Sequence, residues 1–476
     1  METIIGRTEE KEILKHVIKS REASLVAIYG RRRVGKTFLV HTYFNDLLAF
    51  EVTAVYGGNL KDQLKVFTAA LSKVTGLPVK EPDSWISGFQ VLQQYLQGLN
   101  KRKKQVVFID EFPWFETRRS GFLGAFAHFW NTWASRQNHI IVVICGSAAS
   151  WMIRNVVNNK GSLHQRITQK IKLEPFTLAE TRVYFNSRGI KLDFYQILQL
   201  YMVFGGIPQY LKNVQPGHSA TQTIQRNCFD KNGFLTGEFD NLYGSLFEKS
   251  DQHIKVVRAL AKTPKGLSRQ EIIDVCELTS GGWTTEILEE LEETGFIRSI
   301  VPYQHAAKDA IYRLIDEYSI FYLKFMDGNR SNAKNKWLQM STGNAYKIWS
   351  GMAFEAVCLK HVLQIKSALG IGAIQSEESS WRSAGGKNNQ GAQIDLLIDR
   401  ADRCINLCEM KFYSGEFMID KRYAGELEQK MRVFAEITKT KKTVFLTMVT
   451  TYGVKQNSYA QALVQHSITM EDLFGI

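Results

Sequence analysis

Residues 30–37 read Gly-Arg-Arg-Arg-Val-Gly-Lys-Thr, and this stretch decides which fold the sequence predicts. It fits the pattern G-x-x-x-x-G-K-[ST] at every fixed position. The apolar residues 25–29 before it are typical of a buried strand, and residues 37–44 after it are typical of the start of a helix. Such a turn brings backbone N–H groups and a helix N-terminus to phosphate oxygens. The stretch therefore predicts a phosphate-binding loop in an α/β domain.

Each loop residue has a predicted role. The backbone of Gly30, Val34 and Gly35 would contact phosphates, because glycine permits a tight turn and a close approach. Lys36 would reach the β- and γ-phosphates, and the Thr37 hydroxyl would bind Mg²⁺. A plain glycine turn is the alternative, and the agreement of pattern with context argues against it. The loop thus predicts a nucleotide and Mg²⁺ as cofactors.

A second motif lies farther along the chain, where the apolar residues 106–109 are followed by Asp110 and Glu111. Ligands gather at the carboxyl ends of parallel strands. Asp110 is therefore predicted to complete the Mg²⁺ shell, and Glu111 to polarise the attacking water as a general base. After the next apolar run, Ser147 would sense the γ-phosphate or orient water, or it would cap the following helix.

Composition narrows the class of protein. The chain has 476 residues and a formal charge of +13, which suggests three or four domains and either polyanion binding or a well-solvated surface. The six cysteines are scattered, which favours a reduced cytosolic setting. The longest apolar stretches have the length of strands, and no targeting signal is evident. We therefore expect a cytoplasmic protein without a membrane partner.

Five motifs occur in one order along the first half of the chain: residues 4–10, 30–37, 109–113, 145–147 and 205–211. Together they resemble the archaeal-type ATPase family, within the STAND branch related to AAA+ proteins. The resemblance implies that ATP is the nucleotide. It also implies a P-loop ATPase core at residues 1–175 and a helical lid at 176–248.

The resemblance assigns further nucleotide contacts. Arg7 would line the adenine side, and Pro208 would contact nucleotide from the lid, although its Gly-Gly-x-Pro turn is equally typical of a plain turn between helices. Arg166 would face the γ-phosphate across a subunit contact, which implies a homo-oligomer. A solvated Arg166 is the alternative, with Arg154 or Arg182 in its place.

Residues 249–325 show a winged-helix pattern, with helices near 254–261, 267–272 and 283–294 and a hairpin after them. A winged helix suggests DNA binding by analogy. The third helix carries five glutamates, which would repel a phosphate polyanion. A packing or regulatory role is therefore favoured, and DNA contact through Arg269 or the wing stays open.

Near the C-terminus, residues 394–399 and 404–411 are typical of two strands joined by a tight turn. A turn centred near Asp402 sets Asp395 about opposite Glu409, and Glu409 shares a face with Lys411. Convergent carboxylates repel unless a cation such as Mg²⁺ or Mn²⁺ binds them. The metal could lower the pKa of bound water, and Lys411 could position that water. The polar residues 376–391 before this hairpin predict a mobile loop.

This arrangement resembles the PD-(D/E)XK restriction-endonuclease-like superfamily, with Glu355 matching the acidic residue of that fold's first helix. The resemblance implies a nuclease-like domain at residues 340–476. Its metal ligands would be Glu355, Asp395 and Glu409, and Lys411 would act beside them. A solvated hairpin face with ion pairs is the alternative.

The complete prediction is an α/β chain with a P-loop parallel sheet, a helical lid, a winged helix and a C-terminal restriction-endonuclease-like domain. Its predicted function is an ATP-binding and ATP-hydrolysing switch coupled to an Mg²⁺-dependent, nuclease-like, DNA-binding domain. The alternative is a nucleotide-gated regulator or scaffold whose C-terminal domain binds nucleic acid or protein without cutting it. Plain transcriptional regulation through the winged helix is a third hypothesis.

Overall fold

The structure is a computed structural model that describes residues 3–158, 161, 163, 165–247, 249–328, 335–383 and 391–475. The chain divides into two units, Met1–Pro175 and Phe176–Ile476. Within the described ranges, every helix is too short or too polar to cross a lipid bilayer.

Five parallel strands form the central sheet of the first unit, in the order β2-β3-β4-β1-β5. Their apolar residues are almost continuously buried in β1, β3 and β4, as expected for a parallel sheet covered on both faces. The α/β class with a parallel central sheet is thus confirmed. The strands are β1 (Ser24–Tyr29), β2 (Leu48–Thr53), β3 (Gln105–Asp110), β4 (Ile140–Gly146) and β5 (Gln169–Lys172).

Helices pack against this sheet through amphipathic faces. In the third helix, Leu64, Phe67 and Leu71 recur at helical spacing and are buried. Asn59 caps its first turn, and Gly76 ends it in the left-handed conformation. The helices of this unit are α1 (Thr8–Lys19), α2 (Lys36–Phe44), α3 (Leu60–Thr75), α4 (Trp85–Gln97), α5 (Phe122–Thr132) and α6 (Ala149–Met152).

An aromatic cluster fills the core between α3, α4 and α5. The Trp85 ring lies 5.4 Å from that of Phe67, 5.4 Å from that of Phe115 and 4.8 Å from that of Phe122, all edge to face. Such pairs contribute about 0.5–1.5 kcal/mol each beyond the burial of their area. The cluster therefore anchors the helices that lie on one face of the sheet.

The second unit begins with helices and continues into a small antiparallel sheet of order β6-β8-β7. Three helices and a hairpin lie where the sequence predicted them. The helices are α7 (Leu178–Ser187), α8 (Phe194–Phe204), α9 (Pro208–Leu211), α10 (Ala220–Ile224), α11 (Glu238–Gly244), α12 (Ser250–Lys262), α13 (Arg269–Cys276) and α14 (Gly282–Glu293). The strands are β6 (Leu267–Ser268), β7 (Ile297–Ile300) and β8 (Ile311–Leu314).

The rest of the second unit contains a mixed sheet of order β13-β12-β11-β10-β9. The pairs β9/β10 and β10/β11 are antiparallel, and β11/β12 and β12/β13 are parallel. Its strands are β9 (Ser376–Ser383), β10 (Ala392–Arg400), β11 (Cys404–Lys411), β12 (Thr443–Thr450) and β13 (His466–Ile468). The helices are α15 (Glu317–Phe321), α16 (Lys336–Met340), α17 (Asn344–Lys360), α18 (Val362–Ala368), α19 (Lys421–Thr438), α20 (Ser458–Leu463) and α21 (Met470–Leu473).

The predicted mobile loop at 376–391 is wrong for its first half. Ser376–Ser383 is strand β9, which pairs with β10 across a register shift. Its polar composition suits the edge of a sheet, where Glu378 pairs with Lys366 and Trp381 reaches the core. The remaining part of that prediction, residues 384–390, lies outside the described residues.

Candidate functional site

The phosphate loop is shaped by two glycines. Gly30 has φ +143°, and a Cβ atom there would lie 2.4 Å from the carbonyl oxygen of Leu173. Gly35 has φ +93° and precedes the first residue of α2. Any other residue would be strained at both positions. The chain therefore turns from β1 into α2 as the sequence motif predicts.

Lys36 lies inside the turn that it helps to close. Its Nζ donates to the carbonyl oxygens of Gly30 and Arg31, both at 2.9 Å. Burial lowers the pKa of Lys36, and negative charge at Asp110 and Glu111 opposes that shift. The ammonium group is thus held at the loop, where its hydrogen bonds can be exchanged for phosphate oxygens.

Thr37 and Asp110 meet at the carboxyl ends of the strands. Thr37 Oγ1 donates to Asp110 Oδ2 at 2.8 Å, and the backbone N–H of Glu111 donates to Asp110 Oδ1 at 3.0 Å. Burial raises the pKa of Asp110. A hydroxyl beside a buried carboxylate is an oxygen donor set of the kind that Mg²⁺ prefers. These two residues therefore fit the predicted metal.

Glu111 is held by the residue that follows β4. Its Oε2 accepts from the backbone N–H of Ser147 at 3.1 Å and from Ser147 Oγ at 2.8 Å. Glu111 itself has φ +49°, an uncommon conformation for a non-glycine residue and one found at functional sites. The Ser147 hydroxyl thus contacts the predicted base, whereas Ala148 occupies the N-cap of α6.

The structure also places the residues assigned by resemblance. Arg7 is buried, donates to the carbonyl oxygen of Val34 at 3.2 Å and pairs with Glu10 at 3.6 Å. It therefore lies against the phosphate loop. Arg166 is exposed in a turn before β5, and among the described residues no hydrogen bond or ion pair joins its side chain to Lys36.

Pro208 opens α9 in the second unit, after two glycines that serve the turn itself. Gly206 has φ +67°, and a Cβ there would lie 2.1 Å from the carbonyl oxygen of Phe176. The close contact with Phe176 therefore explains why glycine occupies this turn, and no nucleotide is needed for that explanation. The guanidinium of Arg182, a predicted substitute for Arg166, lies 4.6 Å above the ring of Phe194.

A second constellation forms around the C-terminal hairpin. Leu396 pairs with Cys408, so Asp395 and Glu409 are the next residues along β10 and β11. The predicted register is therefore correct. Burial and then the charge of Asp395 raise the pKa of Glu355 to about 7, with a further contribution from Glu409 and opposing ones from Arg313 and Lys411. The four predicted residues thus form one electrostatically coupled group, called the carboxylate cluster below.

Two basic residues that the sequence did not reveal neutralise this cluster. Arg313, on β8, donates from Nη1 to Glu355 Oε1 at 2.7 Å, and its Nη2 lies 3.9 Å from Asp395 Oδ1. Lys430, on α19, donates to Glu409 Oε1 at 2.8 Å and to Oε2 at 2.6 Å. Cations from two other elements therefore occupy the places where a metal was predicted.

Lys411 and Tyr423 complete the surroundings of Glu409. The Tyr423 hydroxyl donates to Glu409 Oε2 at 3.3 Å, and Lys411 Nζ lies 5.4 Å from the Tyr423 ring centroid. Tyr423 and Lys430 are seven residues apart on α19, a spacing that places them on one helix face. That spacing is a sequence signal for Lys430, whereas nothing near Arg313 marks it.

The donor chemistry of the carboxylate cluster suits a hard cation, but its arrangement does not. Within the described ranges, no three His, Cys, Asp or Glu side chains are grouped so that they could hold a metal ion. Glu355, Asp395 and Glu409 therefore do not fit Mg²⁺ while Arg313 and Lys430 bind them.

Residues 5–214 match the family model of an ATPase domain predominantly from Archaea. An uncharacterised protein of Methanocaldococcus jannaschii is 25% identical over 438 residues, which are 90% of this chain and 92% of that relative. An uncharacterised ATP-binding protein of the same organism is 40% identical over 42 residues, which are 9% of this chain and 71% of that relative.

The chain also resembles solved structures, of which the first shares its fold. A Walker-type ATPase of Pyrococcus abyssi has a TM-score of 0.51 at 17% identity and covers 67% of this chain and 96% of its own. The ORC2 protein of Aeropyrum pernix, solved in ADPNP and ADP complexes, has a TM-score of 0.41 at 15% identity. The match covers 72% of this chain and 98% of that protein. The match of residues 5–214 to the family model confirms the predicted archaeal-type ATPase domain.

Proposed function

Since residues 5–214 are an ATPase domain of the archaeal type, we propose that the protein is a molecular switch driven by binding and hydrolysis of ATP. One observation carries this proposal. The carboxyl ends of β1, β3 and β4 bring Lys36, the Thr37–Asp110 pair and the Glu111–Ser147 pair to one edge of the sheet. Phosphate binding, metal binding and water activation need these side-chain types in one place.

The residues divide the work of hydrolysis. Lys36 and the loop backbone hold the β- and γ-phosphates. Thr37 and Asp110 would hold Mg²⁺, which withdraws charge from phosphate oxygens when it is bound. Glu111 accepts a proton from the attacking water, and Ser147 orients that carboxylate through Oε2.

Three further roles belong to the same proposal. Arg7, already bound to the loop carbonyl of Val34, lines the adenine side. Pro208 contacts nucleotide from a helical lid at residues 176–248. Arg166 faces the γ-phosphate of a neighbouring subunit in a homo-oligomer, which agrees with its exposed position.

ATP turnover tests this function. Lys36→Ala should lose nucleotide binding, and Glu111→Gln should keep binding while turnover falls about 10²–10⁴-fold. Lys347→Ala, an exposed lysine outside the site, serves as the control. Turnover that is unchanged in Lys36→Ala and in Glu111→Gln would refute the proposed site.

A nuclease-like role for residues 340–476 is the second candidate, and the gathering of Glu355, Asp395, Glu409 and Lys411 favours it. No cleavage step follows from the present arrangement, because Arg313 and Lys430 bind the carboxylates. We propose that release of Arg313 precedes any metal binding there.

Within the proposed winged helix, at 249–325, Glu290 binds His253 at 2.8 Å, which supports a packing role for α14.

Labelled DNA separates this candidate from the scaffold alternative. Wild type, Lys411→Ala and Arg313→Ala are incubated with single-stranded, duplex and branched DNA, with Mg²⁺ or Mn²⁺ and with or without ATP. The nuclease is supported if wild type or the Arg313→Ala variant cleaves DNA and the same protein no longer cleaves it when it also carries the Lys411→Ala substitution. Binding without cleavage under all conditions supports a nucleotide-gated regulator or scaffold.

A further inference from the structure

A cavity of about 510 Å³ lies within the second unit, between α12, β8, α17 and residues 320–327. It uses none of the residues of the phosphate loop. Its volume falls in the range of sites for small molecules, about 300–1,000 Å³. Such sites have mainly apolar walls and a few polar groups that select the ligand.

The wall of this cavity is largely apolar. Leu260 and Ile320 line it from one side, and Ile348, Trp349 and Met352 line it from α17. Ile348 is 54% exposed, which is a large fraction for an isoleucine beside a cavity. The cavity therefore offers apolar surface that a ligand with an apolar or aromatic body would cover.

The polar groups around the cavity are unbalanced towards donors. Its two carboxylates are already in ion pairs, Asp327 with Arg258 and Glu355 with Arg313. Arg313 Nε and Trp349 Nε1 are closed to solvent and have no hydrogen-bond partner in the part of the chain that the structure describes. A ligand would therefore reach the Arg313 guanidinium only by displacing one of its present neighbours.

Two lysines add positive charge at the same place. Lys262 and Lys324 line the cavity and are exposed, and among the described residues neither has an ion-pair partner. With Arg258 and Arg313, they give the cavity four cationic side chains against two carboxylates, Asp327 and Glu355. The expected ligand is therefore an anion.

We propose that this cavity binds a small organic anion, with an apolar or aromatic body and one terminal phosphate or carboxylate group. The body packs against Ile348 and Trp349, and the anionic group accepts from Arg313, Lys262 and Lys324. Because Arg313 also binds Glu355, the ligand competes with Glu355 for the guanidinium. Occupancy is thereby communicated to the carboxylate cluster.

Calorimetry on the full chain tests the site with four probes: 1-naphthyl phosphate, 1-naphthoate, the neutral 1-naphthol and inorganic phosphate. At least one of the two naphthyl anions should bind at least about tenfold more tightly than 1-naphthol and inorganic phosphate. The naphthyl anion that binds more tightly identifies the head group that the site prefers. Failure of both naphthyl anions to bind, or equal binding of the neutral naphthol, overturns the proposal.

Charge-reversal variants locate the binding. Lys324→Glu should weaken the naphthyl anion about tenfold or more, whereas Lys308→Glu, an exposed lysine outside the cavity, should leave it unchanged. Ile348→Asp, also at an exposed position, should weaken it as well. Equal affinity in Lys324→Glu and Lys308→Glu overturns the proposal, and so does binding that is lost in Lys36→Ala, because the probe would then occupy the phosphate loop.

Discussion

Arg313 Nη1 lies 2.7 Å from Glu355 Oε1, and this ion pair joins strand β8 of the small antiparallel sheet to helix α17. The Arg313 side chain is 7% exposed and that of Glu355 is 25% exposed. The carboxylate cluster therefore receives part of its charge compensation from outside the C-terminal sheet. Any motion of β8 away from α17 would change the charge state of the cluster.

Loss of Arg313 should destabilise the protein. Arg313→Ala removes the guanidinium that pairs with Glu355, while Asp395 stays nearby. Breaking a buried ion pair in this way costs on the order of 3 kcal/mol of stability. The free energy of unfolding by urea measures this. In a double-mutant cycle, Glu355→Gln should offset part of the loss, because it removes the buried carboxyl group that Arg313 binds.

The matched control for this cycle is Arg422→Ala, since the Arg422 side chain is 89% exposed and pairs with Glu426 on the surface. Arg422→Ala should change the free energy of unfolding by no more than about 0.5 kcal/mol. Additive effects of Arg313→Ala and Glu355→Gln would contradict a coupling between the two residues.

Ser147→Ala should slow ATP hydrolysis without weakening ATP binding. The hydroxyl orients Glu111 through one hydrogen bond of 2.8 Å, and the backbone N–H of residue 147 remains to hold Oε2. We expect kcat to fall about tenfold while KM changes little, as for the loss of one hydrogen bond to a charged group. Steady-state turnover checks this.

Ser150→Ala is the control, because Ser150 is a buried serine on α6, whereas the described hydrogen bonds to the Glu111 carboxylate come from Ser147. It should leave kcat unchanged. If Ser147→Ala changes KM as strongly as kcat, Ser147 contributes to nucleotide binding instead of orienting the base.

The nucleotide site was predictable because its residues are local. Gly30, Gly35, Lys36 and Thr37 are contiguous, and backbone sterics fix their conformation almost independently of the rest of the chain. Asp110 and Glu111 end a buried strand, so the carboxyl-edge rule places them. The register of the C-terminal hairpin was also predictable, since a short turn sets which residues pair.

Other features depend on tertiary contacts between distant parts of the chain. Arg313 lies 42 residues before Glu355, and no local pattern marks it as its partner. Strand β9 was missed because an edge strand of serine and glutamate lacks an apolar alternation, and pairing with β10 overrides that composition. Sequence spacing alone therefore predicted the acids of the cluster but missed the cations that bind them.

Gly30→Ala should destabilise the first unit and impair nucleotide binding. The new Cβ would meet the carbonyl oxygen of Leu173 at 2.4 Å, and φ +143° is strained for alanine. A loss of about 1–3 kcal/mol is expected in urea unfolding. Gly124→Ala, within α5 and with nothing within 4 Å of its Cβ, should instead stabilise by about 0.5–1 kcal/mol. Equal effects of the two changes would contradict the steric account of the loop.

Arg166 should act on the nucleotide of a neighbouring subunit. Arg166→Ala alone should lower kcat about a thousandfold, as for loss of an arginine at the γ-phosphate. Mixing Arg166→Ala with Lys36→Ala subunits should restore about a quarter of the wild-type turnover if the protein is a dimer, because half the dimers then hold one complete site.

Arg182→Ala is the matched control for that experiment, since the Arg182 guanidinium is engaged above the Phe194 ring. Its turnover should match that of wild type. Normal turnover in Arg166→Ala would show that Arg166 is a solvated arginine, and a mixture without recovery would exclude action across a subunit contact.

His361 should make the second unit sensitive to acid. It is buried, its Nε2 accepts from the Leu178 backbone N–H at 3.1 Å, and its Nδ1 donates to the carbonyl oxygen of Val357 at 2.8 Å. Burial lowers the pKa of His361 to about 4, from about 6.5 in the unfolded chain. Between these values the unfolded state binds more protons than the native state. Stability therefore falls as pH decreases, by on the order of 3 kcal/mol from pH 7 to pH 4.

Urea unfolding at pH 7, 5.5 and 4.5 measures this dependence. His361→Gln should reduce the stability at pH 7 but flatten its decline with falling pH, because the group that takes up the proton on unfolding is gone. His305→Gln is the control, since the His305 side chain is 57% exposed, and the decline should match that of wild type. An equally steep decline in His361→Gln would assign the acid sensitivity to other groups.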